Sequence, residues 1–222
     1  MSIPFTVNEF LGVFKNYNLS VFPMQIIAYI IGVAIVITIF KNNKYSSRFA
    51  SGGLAFFWLW NGVMYHILNF SSINKLAYFF GALFVIQGLL FFVQGVLKSE
   101  ISFRFKTTFA GVIGSLLIVY AMLVYPLLGY FLGHGYPQSP VFGIAPCPTT
   151  IFTFGLFLWV EKLPKKLLWI PLAWALIGFL AALSLGIKED IGLLFAGVVA
   201  VPMILLGRKR YLEKTDSCKV AK

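Results

Sequence analysis

Two histidines, one of the two cysteines and one of the two aspartates are the side chains that could together bind a metal ion or carry out thiol chemistry. Imidazole and thiolate suit a soft or borderline transition-metal ion, so His66, His134 and Cys147 form a candidate ligand set with Asp190 as a fourth or supporting group. Alternatively, Cys147 could be a nucleophile that a histidine activates and Asp190 orients. The chain contains no HExxH, Cys-x-x-Cys or nucleotide-binding loop, so either site would have to be assembled by the fold.

The predicted helix that carries His66 brings other polar and aromatic side chains near it. Trp58, Gly62 and His66 are spaced i, i+4, i+8 and therefore share one helix face, and Asn61 and Tyr65 lie beside that face. This spacing predicts a group of side chains that could line a ligand site. The alternative is a single structural histidine, hydrogen-bonded within the protein, among aromatic residues that only pack.

The segment 133–150 contains the second group of candidates, which includes His134, Tyr136 and Cys147. It has three glycines, four prolines and no charge, which excludes a regular helix along its length and predicts an ordered cap or a re-entrant loop. Pro148 suits the first turn of a following helix, whose free N–H groups could hold an anion or favour a thiolate at Cys147. Alternatively, the prolines only end one helix and begin the next.

The elements that must position these residues are membrane helices. The 222 residues are 59% hydrophobic and 11% charged, and the mean hydropathy is +0.88, which leaves too little polar surface for a soluble globule. A helix needs about 20 mostly apolar residues to cross a bilayer. Seven apolar segments predict an all-α, polytopic transmembrane helix bundle: 21–40, 51–69, 76–97, 108–132, 148–160, 167–186 and 191–207. The fifth is short, so it is either a half-helix or the end of a segment that descends into the bilayer.

The distribution of Lys and Arg predicts the orientation of this bundle. All of the 18 basic residues except Lys15, Lys75 and Lys188 fall on one side of a seven-helix arrangement. Because positively charged loops stay in the cytoplasm, we expect the N terminus outside and the C terminus inside a cell (inner) membrane. The net charge of +11 then reflects topology and anionic lipid, and no nucleic-acid partner is expected. The four candidate side chains named first all map to the outer side.

Three parts of the chain follow from this division. Residues 1–20 form an extracytoplasmic segment, in which a capping-box spacing predicts a short amphipathic helix over 5–17. The alternative for that segment is a frayed tail. Residues 21–207 form the seven-helix transmembrane domain, and residues 208–222 form a basic cytoplasmic tail.

Small and amide residues predict how the helices pack. Gly81, Gly88 and Gly95 recur every seven residues, so they lie on one stripe where a neighbouring helix can approach closely. Gln25, Gln87 and Gln94 lie within apolar helices, where an amide needs a partner. We therefore expect them to form hydrogen bonds between helices.

Several strings resemble an uncharacterised bacterial family of small multi-pass membrane proteins with about seven helices. They are WLWNGVMYH at 58–66, IN at 73–74, GALF at 81–84, GHGYP at 133–137 and PCPTTIF at 146–152. The resemblance covers most of residues 5–205. It implies a membrane protein, and it carries over no activity, cofactor or site residue.

We predict an outward-facing polar site that binds or transports a small solute or ion, with a transition-metal ion as one candidate. The predicted ligand-binding residues share that side of the bundle and are Trp58, Asn61, Tyr65, His66, Asn74, His134, Tyr136, Cys147, Thr149, Thr150 and Asp190. A membrane-embedded enzyme that depends on a metal, a haem or a thiol is the alternative. The expected partners are the lipid bilayer and the solute, and a homo-oligomer is compatible with the pattern.

Overall fold

The computed structural model describes residues 4–220, and the surroundings of side chains up to residue 206. The predicted all-α class is confirmed, because the described chain is mostly helical with one pair of very short strands. The elements are α1 (Val7–Ser20), α2 (Met24–Phe40), α3 (Ser46–Trp60), α4 (Ala77–Phe91), β1 (Ser102–Phe103), α5 (Phe109–Val119), α6 (Tyr125–Phe131), α7 (Pro146–Phe157), β2 (Val160–Lys162), α8 (Trp169–Leu185) and α9 (Ile191–Val220). The side chains of the predicted basic tail, 208–222, lie outside the described part.

Three π-helical segments extend or join these helices. Asn61–Ile67 continues α3, Phe92–Leu97 continues α4, and Tyr120–Val124 joins α5 to α6 without a break. Each π turn makes i→i+5 hydrogen bonds and therefore shifts the residues after it around the helix axis. The faces that a regular 3.6-residue period would predict are changed after each of these segments.

Several helices are long and apolar enough to span a membrane. By length and composition, four in the described chain meet this condition: Ala77–Leu97, Phe109–Phe131, Lys165–Leu185 and Lys188–Leu206. The pair α1 and α2 meets it together, but it is bent by 84° between its two helices. Among the described residues the structure therefore has four candidate spans, or five if the bent pair is one span.

Helix α1 begins with the predicted capping box. The Thr6 hydroxyl accepts a hydrogen bond from the Glu9 backbone N–H at 3.3 Å, and the Glu9 carboxylate accepts one from the Thr6 backbone N–H at 2.7 Å. The Thr6 N–H bond holds the pKa of exposed Glu9 below its ordinary value. The buried face of the helix contains Phe14 and Tyr17, and the Phe14 ring stacks on Tyr65 at 4.9 Å. The alternative of a frayed tail is therefore wrong.

Helices α3 and α4 approach each other through glycines, as predicted. A Cβ atom on Gly81 would lie 2.9 Å from the Gly62 carbonyl oxygen, and one on Gly88 would lie 2.9 Å from the Leu59 backbone nitrogen. Real side chains do not tolerate backbone atoms at these distances. The glycine stripe is therefore a packing feature of the α3–α4 contact.

Two of the three glutamines predicted to need partners donate a hydrogen bond to another element, and the amide of Gln94 lies beside Glu100 and Lys166. Gln87 donates from Nε2 to the Leu167 carbonyl oxygen at 3.1 Å, and Gln25 donates to the Asn18 carbonyl oxygen at 2.7 Å. The first bond links α4 to the turn before α8, and the second links α2 to α1. These bonds satisfy the amide donors, whereas Oε1 of each glutamine is buried without a partner among the described residues.

The loops that follow α2, α4 and α7 meet at one end of the bundle, which we name the basic end (41–48, 98–106 and 160–166). Strand β1 pairs antiparallel with β2, and the Phe103 backbone N–H donates to the Ser47 hydroxyl at 2.9 Å. Glu161 accepts from Lys106 at 2.7 Å, and this bond lowers the pKa of the Glu161 carboxyl. The basic residues of the three loops are thus grouped at the same end.

The opposite end is closed by irregular chain, residues 133–145, which we name the cap. It contains no helix or strand, and most of it from residue 139 onward is buried. Helix α7 follows directly and occupies the centre of the bundle, where α3, α5, α8 and α9 contact it. Of its 12 residues only Cys147 is not fully buried. The cap and the first turn of α7 therefore lie inside the protein, next to the ends of several helices.

Candidate functional site

Two adjacent carboxylates are buried at the cap end, where α8 turns into α9. Gly186 ends α8 in the left-handed conformation, with φ +71°, which suits a residue without a Cβ. A 3-10 turn, Lys188–Asp190, follows, and it directs Lys188 outward and both acidic side chains inward. Glu189 is 0% exposed and Asp190 is 3% exposed.

Each carboxylate makes one short hydrogen bond, Glu189 with an imidazole and Asp190 with a tyrosine hydroxyl. His134 Nε2 lies 2.6 Å from Glu189 Oε1, and the Tyr125 hydroxyl donates to Asp190 Oδ1 at 2.6 Å. With Glu189 ionised, Nε2 of the imidazole carries the donated proton. The second oxygen of Glu189, Oε2, is buried and has no hydrogen-bond partner among the described residues.

Cys147 completes this group from the first turn of α7. Its thiol lies near the Asp190 carboxyl and the Trp174 indole. Residues from α6, the cap, α7 and the 188–190 turn thus converge, and we name the set the acidic site. Its members are Tyr125, His134, Cys147, Glu189 and Asp190. No lysine or arginine of the described chain forms an ion pair with its two carboxylates.

His66 does not join the acidic site, although Trp174 contacts both. The imidazole is 0% exposed, and neither ring nitrogen has a hydrogen-bond partner in the described structure. Its ring centroid lies 4.7 Å from that of Phe84, 5.0 Å from that of Trp174 and 5.1 Å from that of Tyr65. The structural alternative of a hydrogen-bonded histidine is therefore wrong for His66, which sits unpaired among aromatic rings.

Other predicted residues link the cap and α7 to α3 through hydrogen bonds. Asn61 donates from Nδ2 to the Gly143 carbonyl oxygen of the cap at 3.0 Å and approaches the Thr149 hydroxyl at 3.4 Å. Trp58 donates from Nε1 to the Thr153 hydroxyl at 3.0 Å. The hydroxyls of Thr149 and Thr150 donate to the carbonyl oxygens four residues earlier, those of Ala145 in the cap and Pro146 in α7. These hydrogen bonds hold the cap and α7 in place, whereas Oδ1 of Asn61 is buried without a partner among the described residues.

Two predicted residues lie apart from both groups. The Asn74 side-chain oxygen accepts from the Leu76 backbone N–H at 3.1 Å, which closes a local turn before α4. Tyr136 is 55% exposed on the outer surface of the cap. Neither contacts a member of the acidic site through a hydrogen bond in the described structure.

The three proposed metal ligands are not brought together. His134 is directed to Glu189, His66 is enclosed by rings, and Cys147 lies beside Asp190. Within the part of the chain that the structure describes, no group of three His, Cys, Asp or Glu side chains could hold a metal ion. Among the described residues, no hydrogen bond joins the Cys147 thiol to a histidine ring, and Nε2 of His134 lies against Glu189.

Tyrosines 120 and 125 are site residues that spacing alone did not reveal. The Tyr120 hydroxyl donates to the Glu189 carbonyl oxygen at 2.6 Å, so both tyrosines reach the same turn. On a regular α-helix, residues five apart point about 140° away from each other. The π-helical segment Tyr120–Val124 turns them to the same side. An apolar helix that contains two tyrosines near a Pro was the only sign available in the sequence.

Helix α1 holds the cap in place over the acidic site. Asn18 donates from Nδ2 to the carbonyl oxygens of Pro137 and Ser139 at 2.7 and 2.9 Å, and Tyr17 donates to the Ile144 carbonyl oxygen at 2.9 Å. All three acceptors belong to backbone that has no helix or strand to satisfy it. The N-terminal helix is therefore part of the structure that closes the site.

We expect Asn18→Ala to loosen the cap without unfolding the bundle. The substitution removes two side-chain hydrogen bonds worth about 1 kcal/mol each. The equilibrium constant for local opening of the cap should therefore rise roughly tenfold or more. Hydrogen exchange measured by mass spectrometry should be faster in peptides of 133–145. Asn8→Ala, on the exposed face of the same helix, is the matched control. Equal exchange in both variants would mean that α1 does not hold the cap.

Comparison with known proteins identifies the family and nothing further. The model of a family described as "Family of unknown function (DUF6064)" matches residues 7–215, and the chain therefore belongs to that family. No curated protein and no solved structure matches the chain. The sequence-based prediction of an uncharacterised family is confirmed.

Proposed function

We propose that this DUF6064 member is an inner-membrane protein of transporter type that binds a small cation at the acidic site. In this proposal the site faces the outside of the cell, and it holds a proton when the cation is absent. The lipid bilayer and the cation are the proposed partners. The observation that carries the proposal is the pair of buried carboxylates, Glu189 and Asp190, which no lysine or arginine of the described chain neutralises.

The proposed topology has seven crossings with the N terminus outside. The crossings are α2, α3 with its π segment, α4, α5 joined to α6, α7, α8 and α9. Helix α7 has 12 residues and is roughly 18 Å long, which is less than a bilayer core of about 30 Å. Short helices at membrane depth are tolerated where protein surrounds them, and they are a feature of transporter sites. The burial of α7 and the cap above it supports such a site here.

The grouping of positive charge supports the orientation. The β1–β2 pair and its bond to Ser47 hold the three loops of the basic end close together. The lysines and arginines of these loops therefore lie at the same end. A positively charged end stays on the cytoplasmic side. The cap and the acidic site are at the opposite end of the bundle, and hence would face outward.

Electrostatics supports a cation as the ligand. A carboxylate inside a membrane protein costs roughly 2.5–3.5 kcal/mol on insertion scales unless it is paired or neutralised. One imidazole can neutralise at most one of the two charges. The remaining charge attracts a proton or a small cation, and it would repel an anionic solute. The unpaired Oε2 of Glu189 offers an oxygen ligand to such an ion.

The proposal is tested by proton release on cation binding. Protein in lipid nanodiscs, in weakly buffered solution, is titrated separately with ammonium and with methylammonium while pH is recorded. We expect saturable proton release for at least one of these probes, and loss of that release in Asp190→Asn. Glu161→Gln, which removes an exposed carboxylate at the basic end, is the control. Release that persists in Asp190→Asn, or release with none of the probes, would refute the proposal.

The alternative of a thiol-dependent enzyme has one supporting contact, between Cys147 and Asp190. A carboxylate alone is a weak base for a thiol, and the nearby histidine of the acidic site is bonded to Glu189. We therefore propose the cation-binding function ahead of the enzyme. Cys147→Ser separates the two, because it would abolish a thiol-dependent reaction while leaving the carboxylates in place.

A further inference from the structure

An open pocket of about 190 Å³ lies at the basic end, between the last turn of α2 and the first turn of α3. A single water needs only about 10–15 Å³ by the same measure, so the pocket has room for a much larger group. The Ser46 hydroxyl, from a residue that is 3% exposed, donates to the Thr38 carbonyl oxygen and joins the two walls. The walls combine hydroxyl, amide and aromatic side chains: Thr38, Asn43, Tyr45, Ser46 and Phe49.

The chain around this pocket is positively charged. Lys41 and Lys44 lie in the turn between the two helices, and Arg48 lies in the first turn of α3. The Lys44 ammonium is 4.8 Å from the centre of the Tyr45 ring, which is part of the pocket wall. In the described part of the chain, none of these three basic residues forms an ion pair with a carboxylate. Their charge is therefore available to attract an anion.

Hydrogen-bond donors at the pocket are available as well. The Asn43 side-chain oxygen accepts from the Tyr45 backbone N–H at 3.2 Å, which leaves the two amide hydrogens on Nδ2 as donors. Helix α3 begins without a side-chain cap, and the Ser47 and Arg48 backbone N–H groups have no acceptor among the described residues. Several N–H donors beside a positive charge are the surroundings in which proteins bind phosphate groups.

The rim of the pocket indicates that this phosphate belongs to a lipid. Tyr45 and Phe49 are 56% and 44% exposed, and Ile37 and Phe40 in the last turn of α2 are exposed too. Exposed aromatic rings at the end of a membrane helix lie at the level of the lipid headgroups. The proposed topology places this end at the cytoplasmic surface, where basic pockets bind anionic headgroups.

We propose that the pocket between α2 and α3 binds the phosphate of an anionic phospholipid. In this site Lys44, the Asn43 amide and the free N–H groups at the start of α3 contact the phosphate, and the acyl chains lie in the bilayer beside α2. The pocket takes its place at the cytoplasmic surface from the proposed topology, and it does not involve the acidic site. A free phosphate ion offers the same group without acyl chains, so the two ligands are tested separately.

Native mass spectrometry of the detergent-purified protein tests this proposal. The protein is titrated with phosphatidylglycerol or with phosphatidylcholine of the same acyl chains, and the dissociation constant is obtained from the fraction that carries one lipid. We expect phosphatidylglycerol to bind more tightly, and Lys44→Gln to weaken its binding about fivefold. Lys165→Gln removes the same charge from an exposed position on another loop of the basic end, and it should leave the binding unchanged. Equal binding of the two lipids, or equal loss in the two variants, would overturn the proposal.

A second pair of variants tests the amide donor. Asn43 and Asn74 each accept from a backbone N–H two residues later, in the turns before α3 and α4. Asn43→Leu and Asn74→Leu therefore lose the same local bond, and only Asn43→Leu should weaken phosphatidylglycerol binding, again about fivefold. The same weakening in both variants would contradict a contact with Asn43.

Inorganic phosphate is the last probe. If it binds as tightly as phosphatidylglycerol, the free ion is the ligand and the assignment to a lipid is wrong. We expect it to bind much more weakly, because it lacks the acyl chains that contact the exposed residues of α2. No cation and no proton release enters these measurements, so their failure is distinct from failure of the acidic site.

Discussion

Replacing Gly155 by valine is expected to destabilise the protein strongly, because it overpacks the contact between α5 and α7. A Cβ atom on Gly155 would lie 2.8 Å from the Gly114 carbonyl oxygen of α5 and 2.7 Å from Ile118 Cγ1. Helix α7 cannot move away from α5, because α3, α8 and α9 contact it as well. Overpacking of this kind costs about 3 kcal/mol. For a chain of this size, the unfolding midpoint in detergent should fall by roughly 6–12 °C.

Gly12→Ala is the matched control for this prediction. No atom lies within 4 Å of a Cβ placed on Gly12, which is in the middle of α1. Alanine favours a helix over glycine by about 1 kcal/mol, so the control should unfold at the same temperature or slightly higher. A Gly155→Val variant as stable as the natural protein would show that α5 and α7 do not cross as closely as described.

Removing His134 is expected to have the second large effect, because it leaves Glu189 buried and uncompensated. His134→Leu removes the group 2.6 Å from Glu189 Oε1, while Oε2 already lacks a partner. Breaking a buried charged pair from one side costs about 3–5 kcal/mol. Glu189→Gln alone should cost much less, since an amide can still bond to the histidine. The free energy of unfolding can be compared by denaturant titration in mixed micelles.

The double variant decides whether the two residues act as a pair. If they do, His134→Leu/Glu189→Gln should be more stable than His134→Leu alone, because the second substitution removes the unpaired charge. The exposed pair of Lys106 and Glu161 at the basic end provides the comparison, and Glu161→Gln there should cost no more than about 1 kcal/mol. Simply additive costs for His134 and Glu189 would contradict the described contact.

The positions of the helices could be predicted from the sequence, since the apolar run of each helix is a local property. The capping box at Thr6 could be predicted from the spacing of neighbouring residues. The close contact at Gly81 and Gly88 could be predicted because residues at fixed helical spacing share a face. The short apolar run after Pro148 likewise predicted a short helix. Its structure, α7, is helical from Pro146 to Phe157.

The central place of α7 could not be predicted, because a helix that is apolar on every face does not reveal whether lipid or protein surrounds it. The same limit applies to the site. The shared side of Cys147 and Asp190 followed from counting helices, but their contact depends on how α7 packs against the turn before α9.

Sequence by itself therefore determined the all-α fold class, the extent of most helices and the end of the bundle that carries the reactive side chains. Only the tertiary structure decided which of those side chains meet. It places Tyr125 in hydrogen-bond contact with Asp190 through a π turn, and His134 in hydrogen-bond contact with Glu189. It packs His66 against the ring of Trp174 instead. Spacing fixes a residue within its own helix, whereas contacts between distant segments depend on the packing of all the helices together.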